Sequence, residues 1–144
     1  MRMIMSFLLC MLSFNMTAQD VSREDAIQMA LTEYVVPQNL TYSLTAYIGK
    51  EPLQTGDILG DFISDTQIEI QSPSWFVWIN DNADAHFEHT TRYLLIDVAS
   101  AKSQVHYFEW WPEVNGETVF FTEDQMNDLN LIIYSDLHSS ESKN

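Results

Sequence analysis

The sequence contains little cysteine, glycine or positive charge. Its 144 residues include one Cys, four Gly and six Lys or Arg. The single cysteine, Cys10, lies in an apolar N-terminal segment, so the chain that follows it can form no disulfide, no thiolate zinc site and no cysteine nucleophile. The P-loop, G-x-G-x-x-G and G-x-S-x-G motifs do not occur in the sequence. These absences predict a non-enzymatic protein without a cofactor.

Negative charge dominates the composition. Asp and Glu together number 21, and the formal net charge is −15 at pH 7. Such a surface repels the phosphates of nucleic acids and the head groups of anionic lipids, so both are poor partners. Basic proteins and cations are better partners, although the acidity can also serve only to keep an exported protein soluble.

The first 18 residues have the order of a secretory signal peptide. A basic residue, Arg2, precedes an apolar run over residues 3–14, and the segment ends in small residues at Ala18. The apolar run is shorter than the ~20 residues that a membrane span needs. We therefore predict cleavage after Ala18 and a secreted or periplasmic protein, with a retained N-terminal anchor as the alternative. A single domain is expected over residues 19–137, followed by a flexible polar tail over residues 138–144.

Helical periodicity is clearest directly after this segment. Ser22 can cap a helix, because its side chain can accept a hydrogen bond from the free N–H groups of the first turn. Apolar residues then recur at helical spacing and form one stripe: Ala26, Ile27, Ala30, Leu31 and Tyr34. Pro37 ends the predicted helix, since a proline disfavours helical geometry in the residue before it.

Strand patterns follow in the middle of the chain. Residues 40–48 alternate in polarity and predict a half-buried strand, whereas the glycines and proline of residues 49–65 predict mostly loop. Further strands are predicted at residues 66–70, 75–79, 92–98 and 105–111. The last three of these are apolar on both faces, so either both faces are covered or one is an aromatic binding surface.

The C-terminal part of the chain contains the last elements. Residues 112–116 predict a turn, and residues 119–121 predict a last strand. The sequence "TEDQ", residues 122–125, fits a capping box that opens a short helix through about Leu131, and "NLIIY" either continues that helix or forms a strand. Together the patterns predict an α+β fold, with one N-terminal amphipathic helix packed on an antiparallel sheet of about four to five strands and a short C-terminal helix.

Two segments resemble the PepSY domain of bacterial envelope and secreted proteins. "VSREDAIQMAL", residues 21–31, is similar to that family's opening helix, which has a capping Ser or Thr and an "eeAi..Al" pattern. "RYLLIDVASAKSQVHY", residues 92–107, is similar to its closing hairpin, although Ala101 and Lys102 stand where the family usually has Thr and Gly. The resemblance implies a helix on an antiparallel sheet, a role in restraining peptidases or in the envelope, and no catalytic residues.

One polar connection carries candidate metal ligands. His86 and His89 are three residues apart, and Asp81 and Asp84 lie just before them. Imidazole and carboxylate groups bind zinc, and a helical turn would bring both histidines to one ion. The spacing differs from the H-E-x-x-H of metalloproteases, and the glycine and distal glutamate of an EF-hand calcium loop are missing. The alternative is a polar loop between two strands that holds no metal.

Aromatic residues form the second candidate site. Trp78, Phe108, Trp110 and Trp111 fall on strands that are expected to be neighbours, and exposed aromatic residues mark protein or sugar contacts. Alternation along a strand sends Trp110 and Trp111 to opposite faces, so one of the two is expected to lie away from the main helix. The alternative is that these side chains belong to the core.

These features favour a secreted or periplasmic protein-binding domain that occludes a peptidase or another basic partner. An aromatic centre would supply the affinity, and acidic side chains around it would speed the encounter. The alternative is a small-ligand module, either for carbohydrate through stacked tryptophans and acidic hydrogen-bond acceptors, or for a metal through His86 and His89.

Overall fold

Two antiparallel sheets make up most of the fold. A computed structural model of the protein describes residues 19–35 and 42–136, and the predicted signal peptide, Pro37 and the tail at residues 138–144 lie outside these ranges. The described residues form nine strands, one helix near the N-terminus and one short helix near the C-terminus. The protein is therefore mostly β, and the predicted single sheet of four to five strands under one helix is wrong.

The N-terminal helix begins where the sequence predicts it. Helix α1 spans Arg23–Met29 and continues as a π-helical segment, Ala30–Val35. The Ser22 hydroxyl accepts a hydrogen bond from the backbone N–H of Asp25, and the Asp25 carboxylate accepts one from the backbone N–H of Ser22. This capping box satisfies N–H groups that have no partner inside the helix, so it fixes where the helix starts.

The first sheet contains the strands that the sequence predicts most clearly. The nine strands are β1 (Thr45–Ile48), β2 (Ile58–Asp61), β3 (Gln67–Glu69), β4 (Ser74–Asn80), β5 (Thr91–Asp97), β6 (Ser103–Phe108), β7 (Pro112–Val114), β8 (Glu117–Thr118) and β9 (Ile132–Ser135). Five of them form the first sheet, in the order β6–β5–β4–β1–β9. The segment "NLIIY" contributes to β9, so it forms a strand and does not continue the helix.

The second sheet, in the order β3–β2–β7–β8, was not predicted. Its strands have two to four residues each, too few to show an alternating pattern, and Gly60 and Pro112 lie within them. Strand β2 lies in the stretch predicted as loop, β7 occupies part of the predicted turn, and residues 119–121 are not a strand. Asn115 and Gly116, with φ of 53° and 80°, form the two-residue turn between β7 and β8.

The first sheet is covered on both faces. One face packs on α1 and its π-helical continuation, where Ala26, Ala30 and Val77 are fully buried. The other face packs on the second sheet, with Trp78 of β4 in the same core cluster as Leu59 of β2. All seven residues of β4 are buried as a result. Strands β4 and β5 are therefore buried on both sides, because the helix lies on one side and the second sheet on the other, whereas β6 at the edge of the sheet exposes Tyr107.

The C-terminal helix is shorter than predicted. Helix α2 spans Glu123–Asn127, with Thr122 and Gln125 in the capping box that the sequence predicts. It ends at Asn127 rather than near Leu131, and none of its five residues is buried. No helix within the described ranges has the length and apolar content needed to cross a bilayer.

Candidate functional site

A cavity of about 260 Å³ opens between the first sheet, α2 and the bend that joins β6 to β7. We call it the tryptophan cavity. Its lining consists of the aromatic residues Tyr47, Trp78, Trp110 and Trp111, the polar residues Thr45, Asn80, His89, Thr91 and Asn127, and Ala83, Ala85 and Met126. None of these described residues is Asp, Glu, Lys or Arg, although the chain has 21 acidic residues. The cavity is thus an aromatic site with hydrogen-bonding groups and, in this described lining, no Asp, Glu, Lys or Arg.

Two consecutive tryptophans contribute to this one cavity. Trp110 and Trp111 both line it, so the prediction that they lie on opposite faces is wrong. The reason is that β6 ends at Phe108 and the chain bends at Glu109 and Trp110 before β7 begins. Alternation holds only along a continuous strand, and it is interrupted at this bend.

Asp61, the last residue of β2, fixes the bend from the second sheet. Its carboxylate accepts a hydrogen bond of 3.1 Å from the backbone N–H of Glu109, and others from the backbone of Ile63 and Ser64. Asp61 is 5% exposed. Burial raises the pKa of Asp61, but the hydrogen bonds from Ser64, Glu109 and their neighbours outweigh it and hold the pKa below its usual value. The side chain therefore acts as an ionised acceptor that holds the bend.

Two further hydrogen bonds fix the carbonyl groups of the tryptophans. The Tyr93 hydroxyl donates to the Trp110 carbonyl at 2.8 Å, and the backbone N–H of Phe62 donates to the Trp111 carbonyl at 3.2 Å. Burial raises the pKa of Tyr93, reinforced by the negative charges of Asp61 and Glu113, so the phenol keeps the proton that it donates. The bend is thus tied to both sheets.

Trp78 forms the floor of the cavity. It is 1% exposed, and its indole N–H donates to the Thr91 hydroxyl at 3.1 Å. Its ring centroid lies 4.6 Å from that of Trp111 and 5.6 Å from that of Tyr47. Burial raises the pKa of Tyr47, partly offset by a hydrogen bond with Thr45, so this hydroxyl is also neutral. The aromatic walls are therefore held in place by the core and are preorganised for a ligand.

His89 and Asn80 form a polar pair at the cavity. The Nε2 atom of His89 lies 2.7 Å from the Asn80 side-chain oxygen, and its Nδ1 atom lies 2.8 Å from the Phe87 carbonyl oxygen. The Asn80 oxygen also accepts a hydrogen bond of 3.1 Å from the backbone N–H of Asn82. That bond orients the Asn80 amide, since only its oxygen can accept from a backbone N–H. Both ring nitrogens thus face acceptor oxygens, and a neutral imidazole, which has one N–H, can donate to only one of them.

The other candidate metal ligands have partners of their own. The Asp81 carboxylate makes two hydrogen bonds of 2.6 Å with the Arg92 guanidinium, and the Asp84 carboxylate accepts from the Ser43 hydroxyl. His86 is exposed. Over residues 19–35 and 42–136, no group of three or more His, Cys, Asp or Glu side chains could hold a metal ion. The metal site stays a prediction, and the ten residues between β4 and β5 connect adjacent strands.

The four aromatic residues predicted as a binding site lie in two different places. Trp78, Trp110 and Trp111 meet at the cavity, whereas Phe108 stacks on Tyr93 with ring centroids 4.3 Å apart and is 4% exposed. Phe108 is thus a core residue. Of the remaining lining, the sequence singles out only His89, as a candidate metal ligand. Among the others Asn80 carried a signal, because a polar residue at the end of a buried strand lies at the edge of a sheet.

Comparison of the chain with models of known families, with curated proteins and with solved structures gave no match. The resemblance to the PepSY domain therefore stays a prediction. The candidate function rests on the geometry and chemistry of the tryptophan cavity.

Proposed function

We propose that the protein binds a small, uncharged ligand with several hydroxyl groups in the tryptophan cavity, and that a single sugar ring is the ligand that fits best. The observation that carries this proposal is the composition of the lining, which joins four aromatic rings to five polar residues without any carboxylate, lysine or arginine. In a chain of net charge −15, such a lining disfavours ionic ligands. We propose that the protein binds this ligand without transforming it, in the periplasm or outside the cell.

The chemistry of the lining supports a sugar in two ways. The C–H face of a sugar ring is apolar and packs on an indole face, as Trp110 and Trp111 would allow. The hydroxyl groups at its edge need donors and acceptors, which the side-chain amides of Asn80 and Asn127 can supply. The volume of about 260 Å³ lies just below the roughly 300–1,000 Å³ of ordinary small-molecule sites, so a ligand of one ring is favoured. The acidic acceptors expected for sugar binding are not part of this described lining.

Tryptophan fluorescence tests the proposal directly. Titration of the full-length protein with a panel of neutral monosaccharides should change the emission in a saturable way for at least one sugar, because the ligand would shield indoles that border the cavity. Trp110→Ala should abolish that saturable change. Tyr107→Ala is the matched control, since Tyr107 is 68% exposed and does not line the cavity. No saturable change with any sugar, or an unchanged response in Trp110→Ala, would count against the proposal.

A protein partner is the second candidate, and exposed aromatic residues beside the cavity favour it. Phe62 and Phe121 are 61% and 49% exposed, and Phe121 packs edge-on against Trp111 with ring centroids 5.6 Å apart. Exposed aromatic residues near one another are typical of protein contacts. A basic partner, such as a peptidase that the protein restrains, would suit the net charge of −15.

Capture of a protein partner by surface variants distinguishes the two candidate functions. A protein captured by the immobilised full-length chain should bind more weakly to Phe62→Ala and Phe121→Ala, and its association should slow as salt is added. Phe62→Ala should leave any sugar response intact, because Phe62 does not line the tryptophan cavity. Phe121 packs against the cavity residue Trp111, so only Phe62→Ala serves as this control. Capture that is equal for the variants and independent of salt argues against a protein partner at this surface.

A further inference from the structure

A second cavity, of about 450 Å³, opens on the other side of α2. We call it the acid-rimmed cavity. Met126 and Asn127 of α2 face the tryptophan cavity, whereas Asp124 and Gln125 line this one. Its apolar floor is made by Leu53, Phe76, Val114, Val119, Phe120 and Leu131. The size falls within the roughly 300–1,000 Å³ of sites that take small organic molecules.

We infer that the acid-rimmed cavity binds an apolar organic cation, in which a hydrocarbon or aromatic group carries one ammonium. This site is distinct from the tryptophan cavity and does not depend on the function proposed for it. The two differ in charge, because the described lining of the acid-rimmed cavity holds three carboxylates and one ammonium: Glu51, Asp124, Asp128 and Lys50. The apolar floor would take the hydrocarbon group, and the rim would take the ammonium.

The rim already holds one cation. The Lys50 ammonium lies 3.0 Å from an Asp128 carboxylate oxygen, while its side chain remains 65% exposed. This pair leaves Glu51 and Asp124 as the two carboxylates whose charge is not neutralised by a lysine of the lining. An added ammonium is therefore attracted to the rim, whereas an added carboxylate is repelled by it.

Aromatic rings on the floor favour an aromatic hydrocarbon group on the ligand. Phe76 and Phe120 both line the cavity, and their ring centroids lie 6.0 Å apart. A ligand ring that packs beside them would gain the attraction between aromatic side chains, while its ammonium lies at the carboxylates of the rim.

The backbone at Phe120 supports a functional role for this floor. Its φ of 59° places a bulky residue in the left-handed region, which strains the backbone there. Phe120 is nevertheless 4% exposed, and its ring stacks on Tyr47 with centroids 5.5 Å apart. Strain of this kind persists where the surrounding structure requires it, and it concentrates at ligand sites. Here the strain directs an aromatic ring into the wall that separates the two cavities.

A matched set of three probes tests the inference. Phenethylammonium, 2-phenylethanol and phenylacetate have similar size and differ in charge. Titration of the ¹⁵N-labelled full-length protein should give saturable amide shifts near Lys50, Glu51 and Asp124 with phenethylammonium. The alcohol should bind about twofold to fivefold more weakly, which is the range that one exposed ion pair contributes, and phenylacetate should bind more weakly still.

Rim variants make the test sharper, because two of them should act in opposite directions. Glu51→Gln combined with Asp124→Asn should weaken phenethylammonium binding about twofold to tenfold and leave 2-phenylethanol unchanged. Lys50→Met should strengthen phenethylammonium binding about twofold to fivefold, since it removes a competing cation and frees Asp128. General damage to the fold would weaken binding in both variants. Glu69→Gln, an exposed change on β3 outside the cavity, is the matched control.

Three results would overturn the inference. The first is equal or tighter binding of phenylacetate than of phenethylammonium. The second is amide shifts that cluster at Asn80 and His89, which would assign the probe to the tryptophan cavity. The third is the absence of any saturable shift with the three probes while the protein remains folded.

Discussion

Asp61 is the residue on which the geometry of the tryptophan cavity most depends. It joins β2 to the bend that carries Trp110 and Trp111, through the hydrogen bond with Glu109. Asp61→Ala would leave three partly buried backbone N–H groups, those of Ile63, Ser64 and Glu109, without this acceptor, so we expect the free energy of unfolding to fall by about 1–3 kcal/mol. Urea unfolding followed by circular dichroism measures the change. Asp65→Ala, at an exposed position four residues later, should change stability by less than about 0.5 kcal/mol.

Because of the Asp61 carboxylate, we expect the free energy of unfolding to depend on pH. Folding lowers the pKa of Asp61 from its ordinary value of 3.8, so the folded state binds this proton more weakly than the unfolded state. The stability contributed by Asp61 is therefore fully present above pH values near 3.8 and is lost as the pH falls through the lower folded-state pKa. The difference in unfolding free energy between the wild type and Asp61→Asn should shrink over that range. A difference that stays constant down to the lowest pH at which the protein folds would contradict this account.

Individual residues also show where sequence reasoning fails. The identities of Trp78, Trp110 and Trp111 were predicted as site residues, because aromatic residues are plentiful on neighbouring strands. Their convergence was not predictable, since it depends on a bend that Asp61 holds from a distant part of the chain. A contact between positions 61 and 109 leaves no periodic signal in the sequence, and neither does the engagement of Asp81 by Arg92.

At the scale of elements, the two capping boxes predict different consequences for stability. Ser22→Ala should lower the free energy of unfolding by about 0.5–2 kcal/mol, because α1 packs on the first sheet through the buried Ala26 and Ala30. Thr122→Ala should lower it by less than about 0.5 kcal/mol, because α2 has no buried residue and can fray locally. Urea unfolding of both variants measures the contrast, and equal losses would show that α2 unfolds only with the whole domain.

The turn between β7 and β8 gives a second prediction for an element. Gly116 has a φ of 80°, and a Cβ added there would meet no atom within 4 Å. Gly116→Ala should therefore cost only the strain of the left-handed backbone, about 1 kcal/mol, without a steric clash. Thermal unfolding measures this loss. Gly116→Asn should recover part of it, since asparagine tolerates positive φ better than alanine, and a variant as unstable as Gly116→Ala would contradict the explanation.

Long elements were predictable, and of the short ones only β1, β3 and the start of α2 were. The α1 cap at Ser22 and strands β4 and β5 follow from local patterns of six or more residues, so the prediction for each is confirmed. The second sheet could not be predicted from periodicity, because β2, β7 and β8 are short and β2 pairs with β7 across the many residues between Asp61 and Pro112. The pairing of β7 with β8 is local, and "NG" at residues 115–116 favours such a tight hairpin, although residues 112–116 are predicted only as a turn.

At the scale of the whole molecule, the net charge makes the melting temperature depend on salt concentration. With a formal net charge of −15, mutual repulsion destabilises the compact state, and salt screens that repulsion. The melting temperature should therefore rise by several degrees between low salt and about 0.15 M NaCl, where the Debye length is about 8 Å. Differential scanning calorimetry measures the shift. Equal concentrations of an uncharged osmolyte serve as the control, and a melting temperature that falls with salt would contradict the role of repulsion.

The place of β1 in the first sheet has a consequence for how the chain is made. β1 lies between β4 and β9, and Thr45 aligns with Ser135 near the opposite end of the described chain. Bringing such distant segments together costs loop-closure entropy, and until β9 arrives β1 has an unpaired edge. A nascent chain that lacks β9 therefore cannot complete this sheet, however much of the rest has been synthesised. Completion of the first sheet therefore waits until β9 has been translated, so the order of synthesis makes this pairing a late step in folding.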